Sequence, residues 1–208
     1  MSYDTDEEKV EAIKRWWKEN GIAVVVGISI GLGGIVGWRW WGDYRDSVAG
    51  QASAVFDQAL ANSATDQTEA VLAQTRTLED DFSSTPYAAL GLLVEAKAQY
   101  DAGKVEEAMQ ALTRAIASAP EPAIARIAAL RLARIQVAEG QIDAAAKTVA
   151  DHDTSPDFAG EFAAVRGDIA AARGDVAAAR QAYEQALADG TGLSQLIRLK
   201  LDNLPAAG

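Results

Sequence analysis

The chain has 208 residues, no cysteine, and a formal net charge of −11 from 19 Lys and Arg against 30 Asp and Glu. The lack of cysteine excludes disulfides, thiolate metal sites and cysteine nucleophiles, and leaves the redox compartment open. Most of the negative charge falls between Asp46 and Gly208, where 13 basic residues face 23 acidic ones; this argues against nucleic-acid binding through phosphate neutralisation and against lying flat on anionic lipid.

Residues 1–20 mix both signs, and Val10, Ile13 and Trp17 recur at helical spacing. They predict a short amphipathic helix, read either as a solvated tail that keeps the next segment in register or as a cytoplasmic contact. From Ile22 to Trp38 the chain carries 17 consecutive uncharged residues, and residues 21–41 together span about 30 Å as a helix, the thickness of a bilayer interior. Bare peptide groups have no partner in lipid, so the segment must cross as a helix. All five Trp bracket it, at Trp16, Trp17, Trp38, Trp40 and Trp41, where amphipathic rings favour the water–lipid boundary. Gly27 with Gly31, and Ser29 with Gly33 and Gly37, repeat small residues at four-residue steps. That spacing either forms a packing face for another membrane helix or reflects the tolerance of membrane helices for glycine.

Four basic residues (Lys9, Lys14, Arg15, Lys18) precede the anchor and two (Arg39, Arg45) follow it before Arg76, which places the N-terminus in the cytoplasm. A cleaved signal peptide ending at Ser47-Val48-Ala49 is disfavoured, because that site lies far beyond the apolar core.

Residues 42–85 predict two linking and capping helices. Val48, Ala52, Val55, Phe56, Ala59 and Leu60 form one apolar face, and Val71, Leu72, Thr75, Leu78 and Phe82 form the next. Between them Thr65 or Asp66 is the expected N-cap, and Pro86 suits the first turn of a new helix.

Residues 86–190 repeat. Gly103, Gly140 and Gly174 each precede a β-branched residue by two positions and an alanine by five: Val105 and Ala108, Ile142 and Ala145, Val176 and Ala179. A small residue stands seven before each glycine, at Ala96, Ala133 and Gly167. Each glycine permits a left-handed turn between paired helices, the β-branched residue fills the corner, and the small residues allow close packing. A period of about 34 residues in helix–turn–helix units is the tetratricopeptide pattern. The first repeat continues with Leu112, Ala115, Ile116 and Pro120, the last closing its second helix, and the third keeps Tyr183, Ala186 and Leu187. The second departs, with His152 where the others have Ala115 and Ala186. Residues 191–208 supply a capping helix through Leu193, Leu196, Ile197, Leu199, Leu201 and Leu204, ended by Pro205. The expected fold is all-α: a single N-terminal transmembrane helix followed by a tetratricopeptide-like helical solenoid.

No chemistry is legible. Asp151-His152-Asp153 holds the only histidine, in a triplet better read as an inter-repeat loop than as a metal site. Glu79-Asp80-Asp81 reads as a solvated helix end, and Gly31-Leu32-Gly33-Gly34 lacks the third glycine of a dinucleotide loop. Neither an enzyme nor a cofactor is expected. Lys97, Arg126, Arg131 and Arg134 fall on the first helices of repeats one and two, the helices that line a solenoid's working face. They are candidate contacts for an acidic or extended peptide; the alternative is exposed faces paired with Glu106, Glu107 and similar residues. The chain has no asparagine between Asn62 and Asn203, so the lysine–asparagine clamp by which other tetratricopeptide proteins hold a C-terminal carboxylate is absent.

The layout resembles the YfgM-type ancillary subunits of the bacterial SecYEG translocon. The likeness rests on the charged start, the Gly-rich anchor ending in aromatics, Ser84-Thr85-Pro86-Tyr87-Ala88-Ala89, and Leu193-Ser194-Gln195-Leu196-Ile197-Arg198-Leu199-Lys200-Leu201-Asp202-Asn203-Leu204. The resemblance implies an inner-membrane protein with periplasmic repeats. It also implies association with the translocon and with a PpiD-type membrane-anchored periplasmic chaperone, serving exported client proteins. A structural adaptor that tethers another envelope assembly, without client handling, is the alternative.

Overall fold

The computed structural model describes residues 3–205, with side chains from Glu8 onward. The first two residues of the N-terminal segment and the last three of the C-terminal tail lie outside the described residues. The elements, in order, are α1 (Tyr3–Ser63), α2 (Thr68–Asp81), α3 (Pro86–Asp101), α4 (Val105–Ser118), α5 (Pro122–Ala138), α6 (Ile142–His152), a 3₁₀ turn (Pro156–Phe158), α7 (Ala159–Ala172), α8 (Val176–Asp189) and α9 (Ser194–Asp202). No strand occurs among the described residues. The chain forms two compact units, one up to Val48 and one from Ala49.

In the first unit the expected lead-in helix and the anchor are one uninterrupted helix, which also runs through Ser47-Val48-Ala49 without a break. It is the one helix among the described residues long and apolar enough to cross a membrane, and only 6% of its apolar window is buried within the protein. Ile22, Ile30, Val36 and Trp38 stand open. A row of such side chains needs an apolar covering that the chain itself does not provide. The Ser29 hydroxyl donates to the Val25 carbonyl at 2.8 Å, so this polar group is satisfied inside the helix. The Trp40 and Tyr44 rings stack at 6.2 Å.

In the second unit, α1 from Ala49 pairs with α2. Ala52, Ala59, Val71 and Leu78 are fully buried and pack against Ala88, Val94 and Ala98 of α3. The link between α1 and α2 corrects one expectation. Asp66 is left-handed (φ 56°), and the N–H of Gln67 donates to the Asn62 carbonyl at 3.0 Å. Asp66 therefore closes the C-terminus of α1, a role usually filled by glycine but open to Asp. Gln67 stands at the N-cap of α2 without a side-chain cap.

The three helical hairpins α3–α4, α5–α6 and α7–α8 follow the repeat. Gly103, Gly140 and Gly174 have φ of 76°, 72° and 78°. After each, the next N–H reaches back five residues: Lys104 to the Gln99 carbonyl at 2.8 Å, Gln141 to Gln136 at 2.8 Å, and Asp175 to Ala170 at 3.0 Å. These bonds satisfy carbonyls that a helix end leaves open. Ala108, Ala145 and Ala179 are fully buried behind the turns, while Val105, Ile142 and Val176 are half-buried. The cores overlap from hairpin to hairpin. One joins α3, α4 and α5 around Leu92, Leu112 and Leu132, the next joins α5, α6 and α7 around Leu130, Val149 and Phe162, and the last joins α7, α8 and α9 around Ala163, Tyr183 and Ile197. Each hairpin thus completes its core with the helix that follows, as stacked repeats require. Of the capping leucines, Leu193, Leu201 and Leu204 join Ile197 in that core, whereas Leu196 and Leu199 face outward.

The middle hairpin is the irregular one. Its second helix, α6, has 11 residues against 14 in α4 and α8. It stops at His152, the position filled by fully buried Ala115 and Ala186 in the other two. An imidazole does not fit where an alanine is enclosed, so the chain leaves the helix and re-enters through the 3₁₀ turn, whose Asp157 N–H is accepted by Ser155 Oγ at 3.4 Å.

Candidate functional site

The sixth residue before each turn glycine is charged in all three repeats: Lys97, Arg134 and Asp168. Lys97 pairs with Asp101 one turn along α3, where both are exposed. Asp168 Oδ1 accepts from the Tyr183 hydroxyl at 2.6 Å and from Lys200 Nζ at 2.5 Å, tying α7 to α8 and α9. Burial and the adjacent Asp168 charge push the Tyr183 hydroxyl pKa well up, so it stays a donor. Arg134 has no such partner. Its guanidinium is partly buried, and its Nη2 atom is enclosed with no hydrogen-bond acceptor. Burial lowers the Arg134 pKa, the charges of Asp168 and Glu161 work to raise it, and Arg131 works to lower it.

The surroundings of Arg134 form a pocket of about 290 Å³ lined by Ile127, Leu130, Arg131, Arg134, Asp157, Phe158 and Glu161. The four α5 residues stand at i, i+3, i+4 and i+7, which puts them on one helix face. The opposite wall is the 3₁₀ turn, with Asp157 and Phe158, and the first turn of α7, with Glu161. Arg131 is exposed and occupies the repeat position of buried Val94 and Val165. Among the described residues neither Arg131 nor Arg134 makes a hydrogen bond or ion pair. The two pocket acids do have partners: Asp157 Oδ2 accepts from the Ser155 hydroxyl at 3.2 Å and Glu161 Oε1 from the Gly192 N–H at 3.3 Å. Arg126 lies on the same helix and donates to Thr154 Oγ1 at 3.5 Å. The structure thus brings two of the four candidate bases into one pocket, places Arg126 at the nearby linker, and leaves Lys97 engaged on its own helix.

A larger cavity of about 460 Å³ lies among α6, α7 and α8, with Val149, Ile169 and Ala178 in its lining. Its two bases are paired within the chain: Arg166 with Asp153, and Arg173 with Asp143 at 2.8 Å. Lys147 holds Asp151 at 2.6 Å, and that hydrogen bond keeps the Asp151 carboxyl below its ordinary range. The two carboxylates of the Asp-His-Asp triplet are therefore taken by different bases. Among the described residues no group of three His, Cys, Asp or Glu converges as metal ligands would.

On the anchor, a Cβ added at Gly27, Gly31, Gly33 or Gly37 would meet nothing within 4 Å, so both small-residue steps, which lie on different sides of the helix, are open. The pocket residues that the repeat pattern alone does not single out are Ile127 and Leu130 on α5 and Asp157, Phe158 and Glu161 across from it. The signal for the last three is indirect: His152 breaks the repeat and Pro156 restarts the chain four residues later.

The chain matches the model of the tetratricopeptide repeat-like domain family over residues 14–206. It is similar to proteins named ancillary SecYEG translocon subunit in three bacteria. Identity is 35% to that of Haemophilus influenzae, over 98% of this chain and 100% of the relative. It is 31% to that of Escherichia coli K12, over 97% and 98%, and 34% to that of Aggregatibacter actinomycetemcomitans, over 98% and 100%. No solved structure matches.

Proposed function

Since this chain belongs to the family of ancillary SecYEG translocon subunits, built on a tetratricopeptide repeat-like domain, we propose that it is an inner-membrane anchor carrying a periplasmic docking module at the translocon. The observation that carries the reading is the end-to-end likeness to those relatives, extending through both the apolar helix and the repeats. The excess of basic residues before the anchor supports a cytoplasmic N-terminus. One of the two open small-residue steps, Gly27 with Gly31 or Gly33 with Gly37, is offered to a translocon helix, since small residues let membrane helices approach closely. The stacked hairpins receive newly exported clients and a PpiD-type membrane-anchored chaperone, to which those clients pass. No step in this role requires bond chemistry, and the protein acts by binding alone.

Site-specific photocrosslinking in intact cells tests it, with one probe replacing Gly31 and a second replacing Arg131. The expected products are a SecY adduct from the first and chaperone or client adducts from the second. Recovery of other envelope proteins in place of SecY would replace this reading with that of a structural adaptor. A compartment reporter fused after Gly208 tests orientation, and activity in the cytoplasm would overturn it.

A further inference from the structure

We propose that the pocket between α5 and the Pro156–Glu161 segment takes one internal Asp or Glu side chain of an extended polypeptide, its carboxylate lying between the guanidinium groups of Arg134 and Arg131. The inference rests on the reading that the repeat stack receives exported chains, and adds what it recognises in them.

Four observations lead there. Arg134 lines the pocket part-buried and without an ion pair, and a guanidinium that has lost hydration without gaining a partner is stabilised by a carboxylate against its open side. Arg131 lines the same pocket, also without an ion pair, and a carboxylate beside both relieves the repulsion of two like charges. In contrast, Arg166 and Arg173, the arginines that line the larger cavity, are both ion-paired within the chain. Finally, the volume of about 290 Å³ is at the small end of ligand pockets, near 300 Å³, which suits one side chain rather than a helix.

The walls narrow the choice further. Ile127 and Leu130 stand on the α5 side and Phe158 on the other, so an apolar residue on each flank of the carboxylate meets an apolar wall. An internal acid has two flanks, whereas a chain terminus has one. Asp157 and Glu161 at the same pocket repel a second carboxylate, so the site selects an isolated acid among apolar residues over an acidic run. Such a segment is exposed only while its chain is unfolded.

The test uses the full chain in detergent and fluorescence anisotropy of short labelled peptides. One carries a single Asp between leucines with both ends blocked, a second has Asn in its place, and a third has Asn with a free C-terminal carboxylate. The Asp peptide is expected to bind roughly tenfold more tightly than either Asn peptide, the scale of a charge-assisted hydrogen bond. Arg134→Gln and Arg131→Gln should each remove most of that difference and leave the Asn peptides unchanged. Arg131 is exposed, so its variant decides the matter should Arg134→Gln unfold. Equal binding of the Asp and Asn peptides, equal binding of the free-terminus peptide, or wild-type discrimination in the Arg131→Gln variant would overturn the proposal. Crosslinking from position 31 to SecY separates the two readings: its loss sinks the translocon role, while its survival with no peptide discrimination sinks the pocket alone.

Discussion

The first and third hairpins enclose the twelfth residue after the turn glycine and the second does not, although all three share the same turn. In the third, a Cβ at Gly167 would lie 2.3 Å from the Tyr183 ring, and Tyr183 is fixed from its far end by Asp168. In the first, Ala115 is sealed in the core with Leu112. In the second, His152 stands at the Ala115 position, α6 ends a turn early, and the two cavities described above flank the gap. Turn geometry sets the hairpin, and the side chain twelve residues later sets how far the second helix continues. The departure from the repeat is thus what opens the pocket around Arg131 and Arg134.

Swapping the residues at that position should separate the hairpins most sharply. Ala115→His places an imidazole in a filled core and is expected to cost about 3 kcal/mol. It would be read as a lower midpoint in urea unfolding of the full chain in detergent, followed by far-ultraviolet circular dichroism. A cost under about 1 kcal/mol would mean the first hairpin is as accommodating as the second. Gly167→Ala comes next. The Tyr183 ring cannot swing aside without giving up its bond to Asp168, so overpacking should outweigh the gain in helix propensity and leave a net loss of about 2 kcal/mol. Tyr183→Phe removes only that bond and should cost about 1.5 kcal/mol; in the Tyr183→Phe background the Gly167→Ala penalty should shrink, because the ring is free to shift. The reverse swap, His152→Ala, should be neutral or stabilising by about 0.5 kcal/mol, since His152 is only half-buried. A large loss there would show that His152 holds the middle hairpin together.

What was legible in the sequence follows the same division. The repeat glycines and Ala108, Ala145 and Ala179 announce the hairpins because their positions depend on local backbone geometry and on spacing alone. The continuity of α1 is not announced. The pattern changes at Trp41 from uniformly apolar to one-sided, which reads as a boundary, yet among the described residues no Pro or left-handed residue interrupts the backbone before Asp66. Asp66 itself reads as an N-cap because Asp commonly caps helices, and only its backbone angle shows that it closes the helix before it. Arg126, Arg131 and Arg134 are legible as bases on a first helix. Which of them lack partners is not, because Thr154, Phe158 and Glu161 reach them from a linker whose path depends on where α6 stops.

A last contrast concerns the eighth residue before each turn glycine: Glu95, Leu132 and Arg166. Glu95 is a buried acid that Arg114 reaches at 2.7 Å, while Leu132 fills the equivalent place with hydrocarbon. Burial raises the Glu95 pKa, and the charge and hydrogen bond of Arg114 oppose the shift without cancelling it. The folded state therefore holds this proton more tightly than the unfolded chain. Its contribution is fully present below the unfolded value of about 4.3 and is lost as pH rises through the folded value. Glu95→Gln imitates the protonated group at every pH, so its stability relative to wild type should improve between pH 4 and pH 7, whereas Leu132→Met should show a constant difference. Urea unfolding at a series of pH values measures both. A flat difference for Glu95→Gln would mean that Arg114 fully compensates the burial, and the first hairpin would then tolerate its buried charge as easily as the second tolerates its leucine.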